Sequence, residues 1–247
     1  MLGVIGGSGF YQLPKEWQPK RVAVTTRFGQ PSDDLTFALP KQAKDEQYGL
    51  CFLARHGSNH HIPPHKINYR ANIQALYDAG VNRIVAFNSV GSCHAGIPTG
   101  SLHLPDQIID YSYGREHSFF NADKEPCTHI DFSEPFSAPL RQAIANALSA
   151  KEAVVQTSGT YGCTQGPRLE TAAEIRRMHG DGCDIVGMTL MPEAALARER
   201  ELEYAALCAV VNQGAGIEAG SIDRQYIDAV LQLASDKLLA IIPLLVS

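Results

Sequence analysis

Short apolar runs that stop at small or polar residues recur along the chain. MLGVI (1–5) ends in GGSG, LCFLA (50–54) in RHG, and RIVAF (83–87) in NSVGS. AVVQT (153–157) follows, then DIVGM (184–188) before Thr189, then LCAVV (207–211) before NQGAG. Apolar runs of this length with β-branched members suit strands buried on both faces. Between them the period lengthens to that of a helix. NYRANIQALYDAG (68–80) sets Ile73, Leu76 and Tyr77 on one face and offers Gly80 as a C-terminal cap. APLRQAIANALSA (138–150) and ETAAEIRRMHGDG (170–182) read the same way. PEAALARERELEYAALC (192–208) starts with Pro192, suited to a first helical turn, and carries an Arg- and Glu-rich face expected in solvent.

Strands alternating with helices predict an α/β fold around a mostly parallel sheet. With no repeat, low-complexity stretch or linker, one domain over 1–247 is expected. Ligands of such folds collect beyond the carboxyl ends of the strands. GGSG, RHG, NSVGS, Met188–Thr189 and Asn212 all fall there.

Composition narrows the class. A chain 45% hydrophobic and 19% charged is built to fold. Its net charge of −5 is spread along the sequence and lacks the basic footprint of a nucleic-acid binder. MLGVIGGSGFYQ has no basic region ahead of its apolar residues, and LLAIIPLLVS is about half a membrane span and is broken by Pro243. No membrane association is expected. Cysteines 51, 93, 127, 163, 183 and 208 form no CxxC pair, so reduced, mostly buried thiols in a cytoplasmic protein are expected.

The strand ends carry the candidate chemistry. Glycines after the first strand let the backbone approach an anion, with Ser8 adding a hydroxyl; GGSGFY is not a dinucleotide fingerprint. Arg55 at a strand end, beside His56, suits a bidentate anion or, equally, a carboxylate partner. With Ser89 and Thr189 these residues make a plausible phosphate cup. His60, His61 and His65 are separated by Pro63 and Pro64, which prevents a shared helical metal face, and no metal is expected. Glu170 before a helix either favours that terminus or accepts from a ring N–H. Asn212 either turns the chain or meets a ligand.

Taken in order, IGGSG, ARHG, NYRANIQAL, NSVGS, QGPRLET and MTLMPEAALARE resemble the trimeric purine nucleoside phosphorylase and methylthioadenosine phosphorylase family, over residues 2 to roughly 230. The resemblance implies a single-domain nucleoside-phosphorylase-like α/β fold with a mixed, partly barrel-like central sheet flanked by helices. It also implies a homotrimer and phosphorolysis of a purine nucleoside, with inorganic phosphate as co-substrate and no cofactor. Ser8, Arg55, His56, Ser89 and Thr189 would hold phosphate, with His56 and Asn212 as the catalytic pair. Met188 would lie under the ribose. Val90, Gly91 and Leu169, the last where relatives carry an aromatic, would bound the base with Glu170, Asn212 and Gly214. His60, His129, Ile222, Gln225 and Tyr226 would surround the 5′ group.

The departures from that pattern are informative. Methylthioadenosine enzymes end the strand equivalent to AVVNQGAG in Thr-Asp-x-Asp, whereas here Asn212 and Gly214 replace the two carboxylates. An amide donates to a 6-carbonyl, where a carboxylate would set acceptor against acceptor at a cost of about 1–3 kcal/mol. Glu170 matches the acceptor of N1–H in 6-oxopurine enzymes. RHGSNHHIPPHKINY and GSIDRQYIDAV resemble the methylthio-type sugar pocket. A 5′-methylthio nucleoside of a 6-oxopurine is the expected substrate. The alternatives are the adenine counterpart, a general 6-oxopurine nucleoside, and non-catalytic nucleoside binding on the same fold.

Overall fold

The computed structural model describes residues 1–11, 13, 17–40, 49–120, 127–218 and 224–246. Among the described residues ten strands make one mixed sheet: β1 (Leu2–Gly6), β2 (Trp17–Val22), β3 (Leu35–Pro40), β4 (Leu50–Ala54), β5 (Arg83–Ser92), β6 (Leu102–His103), β7 (Gln107–Asp110), β8 (Thr160–Cys163), β9 (Ile185–Gly187) and β10 (Glu203–Gln213). The order runs β2-β3-β4-β1-β5-β9-β8-β7, with β10 beside β5 and β6 beside β10. The predicted apolar runs become its centre, where β4, β1, β5 and β10 lie parallel.

Both faces of that centre are covered because alternate side chains point to opposite sides. Ile5, Leu53, Ile84 and Ala86 meet Ile73 and Leu76 of α1 (Tyr69–Asp78) and Leu190, Ala194 and Ala197 of α4 (Leu190–Glu199). Val4, Phe52, Val85 and Phe87 meet Leu140, Ile144 and Leu148 of α2 (Ala138–Ser149) and Leu238, Ile241 and Ile242 of α5 (Arg224–Val246). The fifth helix, α3 (Ala172–Gly180), packs Ile175 and Met178 on Val186 of β9. α5 is long and apolar enough for a membrane span, and Pro243 does not interrupt it. One of its faces is nevertheless committed to the core.

Three expectations need correction. AVVQT is not a strand: only Gln156 bridges, to His103, and Val154 is 89% exposed. The helix expected over 192–208 stops at Glu199, turns through Glu201 at φ 57°, and continues as β10. Pairing with β5 along Glu203–Gln213 outweighs the helical propensity of ARERELEY. Tyr77 is exposed rather than on the buried face of α1, with Arg200 over its ring. All six cysteines are unpaired, and all but Cys127 are buried.

Candidate active site

β5 changes neighbour along its length. Arg83–Ala86 pairs in parallel with β1, whereas Gly91 and Ser92 pair antiparallel with β9 on that same edge. β10 follows the opposite edge throughout. Among the described residues no strand covers that edge at 87–90, and the fork opens into a cavity of about 1070 Å³. The carboxyl ends of β1, β4, β5 and β10 converge on it. The sheet has been parted where a ligand can reach strand backbone.

Ser8, Arg55, His56, Ser89 and Thr189 all line the cavity, brought there by the ends of β1, β4 and β9 and by β5. The chain reaches this closeness through Gly7, where a Cβ would lie 2.5 Å from the Phe87 carbonyl oxygen and 2.9 Å from an Arg55 nitrogen. Arg55 is 1% exposed and donates through Nε and Nη2 to the two oxygens of buried Glu193, 2.8 Å each, and through Nη1 to the Phe87 carbonyl at 3.0 Å. Tyr204 donates its hydroxyl to the same Glu193 carboxylate. Burial works against the cation, but the carboxylate overrides it and holds Arg55 charged. Of the two roles open to Arg55 from sequence, the carboxylate pair is realised, in a residue that also lines the cavity.

His56 contacts the Ile62 carbonyl at 2.8 Å through Nδ1, which assigns the proton to that nitrogen and leaves Nε2 for the cavity. Burial, then the Arg55 charge, lowers its pKa to about 4, so the ring is neutral near pH 7. Thr189 begins α4 without using its hydroxyl as a cap. Instead its Oγ1 accepts from Asn88 Nδ2 at 2.7 Å, which leaves the Thr189 proton to donate.

Val90, Gly91, Leu169, Glu170, Asn212 and Gly214 line the same cavity. A register shift between Val210 and Asn212 bends the end of β10. The Asn212 Nδ2 donates to the Gln213 carbonyl at 2.8 Å, keeping Oδ1 and a second N–H for a ligand. Glu170 accepts from Thr164 Oγ1 at 2.6 Å through one oxygen. It stands just outside α3, whose N-cap is Thr171 in a capping box with Glu174. The helix terminus therefore does not use Glu170. Leu169 lines the cavity but is 56% exposed.

Met188 and His60 also line the cavity, the latter bonded to the Tyr11 hydroxyl. α5 contributes Ile227, Asp228, Leu231 and Gln232. Ile222, expected here, lies outside the described residues, as do the side chains of Gln225 and Tyr226. His129 does not join the cavity; it is exposed elsewhere on the surface. Sequence reasoning missed Asn88, Tyr11 and Glu193. Glu193 lies in the segment whose Arg- and Glu-rich face is expected in solvent, yet it is fully buried. A lone carboxylate within MPEAALA was the available signal.

A family model described as the Phosphorylase superfamily matches residues 2–247. A protein of Pseudomonas syringae pv. tomato named "Probable S-methyl-5'-thioinosine phosphorylase" is 48% identical over 93% of this chain and 91% of its own. The "6-oxopurine nucleoside phosphorylase" of Pyrococcus furiosus is 40% identical over 99% of this chain and 92% of its own. Among solved structures, methylthioadenosine phosphorylase from Schistosoma mansoni in complex with adenine superposes with a TM-score of 0.91. It is 30% identical and covers 99% of this chain and 90% of its own.

Proposed function

This chain belongs to the phosphorylase superfamily, and on that premise we propose that it cleaves S-methyl-5′-thioinosine with inorganic phosphate, giving hypoxanthine and 5-methylthioribose 1-phosphate. The similarity to relatives named for this activity supports the substrate. The observation that carries the base assignment is the Asn212 amide at the end of β10, with Glu170 lining the same cavity. Asn212 N–H donates to O6, Oδ1 receives N7–H of the departing purine, and the Glu170 carboxylate accepts N1–H. A 6-amino group would leave the Asn212 donor unanswered.

Phosphate occupies the Ser8, Arg55, His56, Ser89 and Thr189 end. As the N-glycosidic bond lengthens, positive charge builds on the sugar and negative charge on the purine. The anion stabilises the first and is held in line as nucleophile, while Asn212 stabilises the second. Met188 supports the ribose. Ile227 and Leu231 supply an apolar wall at the α5 side, suited to a methylthio group rather than a hydroxyl.

The assembly we propose is a homotrimer. His129, exposed and outside the lining of its own cavity, would then serve the 5′ end of a neighbouring site. The unpaired cysteines support a cytoplasmic setting. Four nucleosides, inosine, adenosine and their 5′-methylthio analogues, assayed with and without phosphate, test the whole reading. Methylthioinosine should be turned over best and only with phosphate. Equal rates on methylthioadenosine would defeat the base argument. The similarity to the Pyrococcus protein favours one second reading, a general 6-oxopurine enzyme, which equal rates on inosine would establish.

A further inference from the structure

Resting on the base assignment above, we propose that Gln213, which does not itself line the cavity, is a positioning residue for the purine. Its side chain holds the tip of β10 in the register, and the Asn212 amide in the orientation, that a 6-oxopurine requires.

Along β10, Val210 pairs with Val90, but the next pairs are Asn212 with Gly91 and Gln213 with Ser92. Val211 is therefore an extra residue, a bulge. It lets Val211 and Asn212 both line the cavity, although consecutive side chains of a regular strand point to opposite faces. Slipping back by one residue would pair Val211 with Gly91 and turn Asn212 to the other face. Two contacts oppose that slip. The Gly214 N–H bonds the Ser92 carbonyl at 2.9 Å. The Gln213 side chain is clamped at both ends: Oε1 accepts from the Ser92 hydroxyl at 2.6 Å, and Nε2 donates to the Ile97 carbonyl at 2.8 Å. Ser92 is buried, and the slipped register would set it against Asn212 instead.

The two ends of an amide have nearly the same shape, one a donor and the other an acceptor. Asn212 Nδ2 donates to the main-chain carbonyl of Gln213 at 2.8 Å. The same nitrogen passes close to Gly91, where a Cβ would lie 3.3 Å from it. Turned over, the amide would set Oδ1 against the Gln213 carbonyl, acceptor against acceptor. That carbonyl fixes which end of Asn212 is nitrogen, and the clamped side chain fixes the carbonyl. Oδ1 and the second N–H are then left for N7–H and O6. The opposite orientation suits adenine, whose N7 accepts and whose 6-amino group donates.

Steady-state kinetics on methylthioinosine and methylthioadenosine test the clamp in wild type, Gln213→Met, Ser92→Ala and the double variant. Gln213→Met keeps the bulk of the side chain and removes both of its hydrogen bonds. The kcat/KM ratio of methylthioinosine to methylthioadenosine should fall about tenfold in Gln213→Met and less in Ser92→Ala, with the phosphate KM unchanged. The double variant should lose no more than Gln213→Met alone, because the two residues act through one contact. A merely structural role would slow both nucleosides together, so an unchanged ratio in the folded variants overturns the proposal. If Gln213→Met does not fold, Ser92→Ala decides by the same ratio. Equal wild-type rates on the two nucleosides overturn the base assignment instead. The clamp then stands if Gln213→Met raises the nucleoside KM at constant phosphate KM, and falls if it does not.

Discussion

Asn212 and Gly214 are two residues apart at the end of β10, and their constraints differ in kind. On the proposed assignment, Asn212 is a chemical choice, since its amide would meet a 6-carbonyl where a carboxylate would not. Replacing Asn212 by Asp should raise the kcat/KM ratio of methylthioadenosine to methylthioinosine by about 10- to 100-fold, the equivalent of one mispaired buried hydrogen bond. An unchanged ratio would remove Asn212 as the selector. Gly214 is a steric requirement. Its N–H bonds the Ser92 carbonyl, and a Cβ there would come within 2.5 Å of that oxygen. The missing second carboxylate, which sequence reads as base preference, is thus also what lets β10 close on β5. His56 yields a prediction of its own. Its pKa falls from near 6.5 unfolded to about 4 folded, chiefly through burial. The unfolded chain therefore binds more protons between those values. The His56 contribution to stability is full above about pH 6.5 and is lost as the pH falls to about 4, on the order of 3 kcal/mol in all. Denaturant unfolding of wild type and His56→Gln across that range measures it; the variant should show a shallower acid loss.

At the scale of elements, α3 holds Glu170 in place from outside. Thr171 accepts from the Glu174 N–H, Glu174 accepts from the Thr171 N–H, and Arg168 grips the Glu174 carboxylate at 2.7 and 2.8 Å. Arg168, then the Thr171 N–H, pulls the Glu174 pKa down to about 2. Thr171→Ala should cost about 1 kcal/mol in chemical denaturation and raise the nucleoside KM while leaving the phosphate KM unchanged, because only the Glu170 end is disturbed. The central strands and α1 to α3 were legible because their burial is uniform and their periods are clean. β2 was not: WQPKRV is a mostly exposed edge strand with Pro19 inside it, so it carries no apolar run. β10 was masked at its start by ARERELEY, whose local preference is helical until the sheet claims it. Arg55, His56, Thr189 and Asn212 could be placed because they end strands. Glu193 could not, since its partner is 138 residues away and only the assembled fold joins them.

For the whole molecule, that pair ties α4 to the end of β4 and, through Phe87, to β5. Glu193→Ala would leave a buried guanidinium unanswered and should destabilise the protein by about 3–5 kcal/mol, read from the denaturant midpoint. The parting of the sheet at β5 has a different consequence. On the proposed assignment, the oxygen nucleophile would be met by residues following β1, β4 and β9 and by Ser89 of β5, whereas the purine would be met by the tip of β10, the approach to α3 and Val90 and Gly91 of β5. Substitutions that retune the nucleobase therefore need not disturb the chemistry of attack. On that assignment, a lineage carrying this fold could exchange one purine for another chiefly through changes at the tip of β10 and at Glu170, with the phosphate contacts inherited.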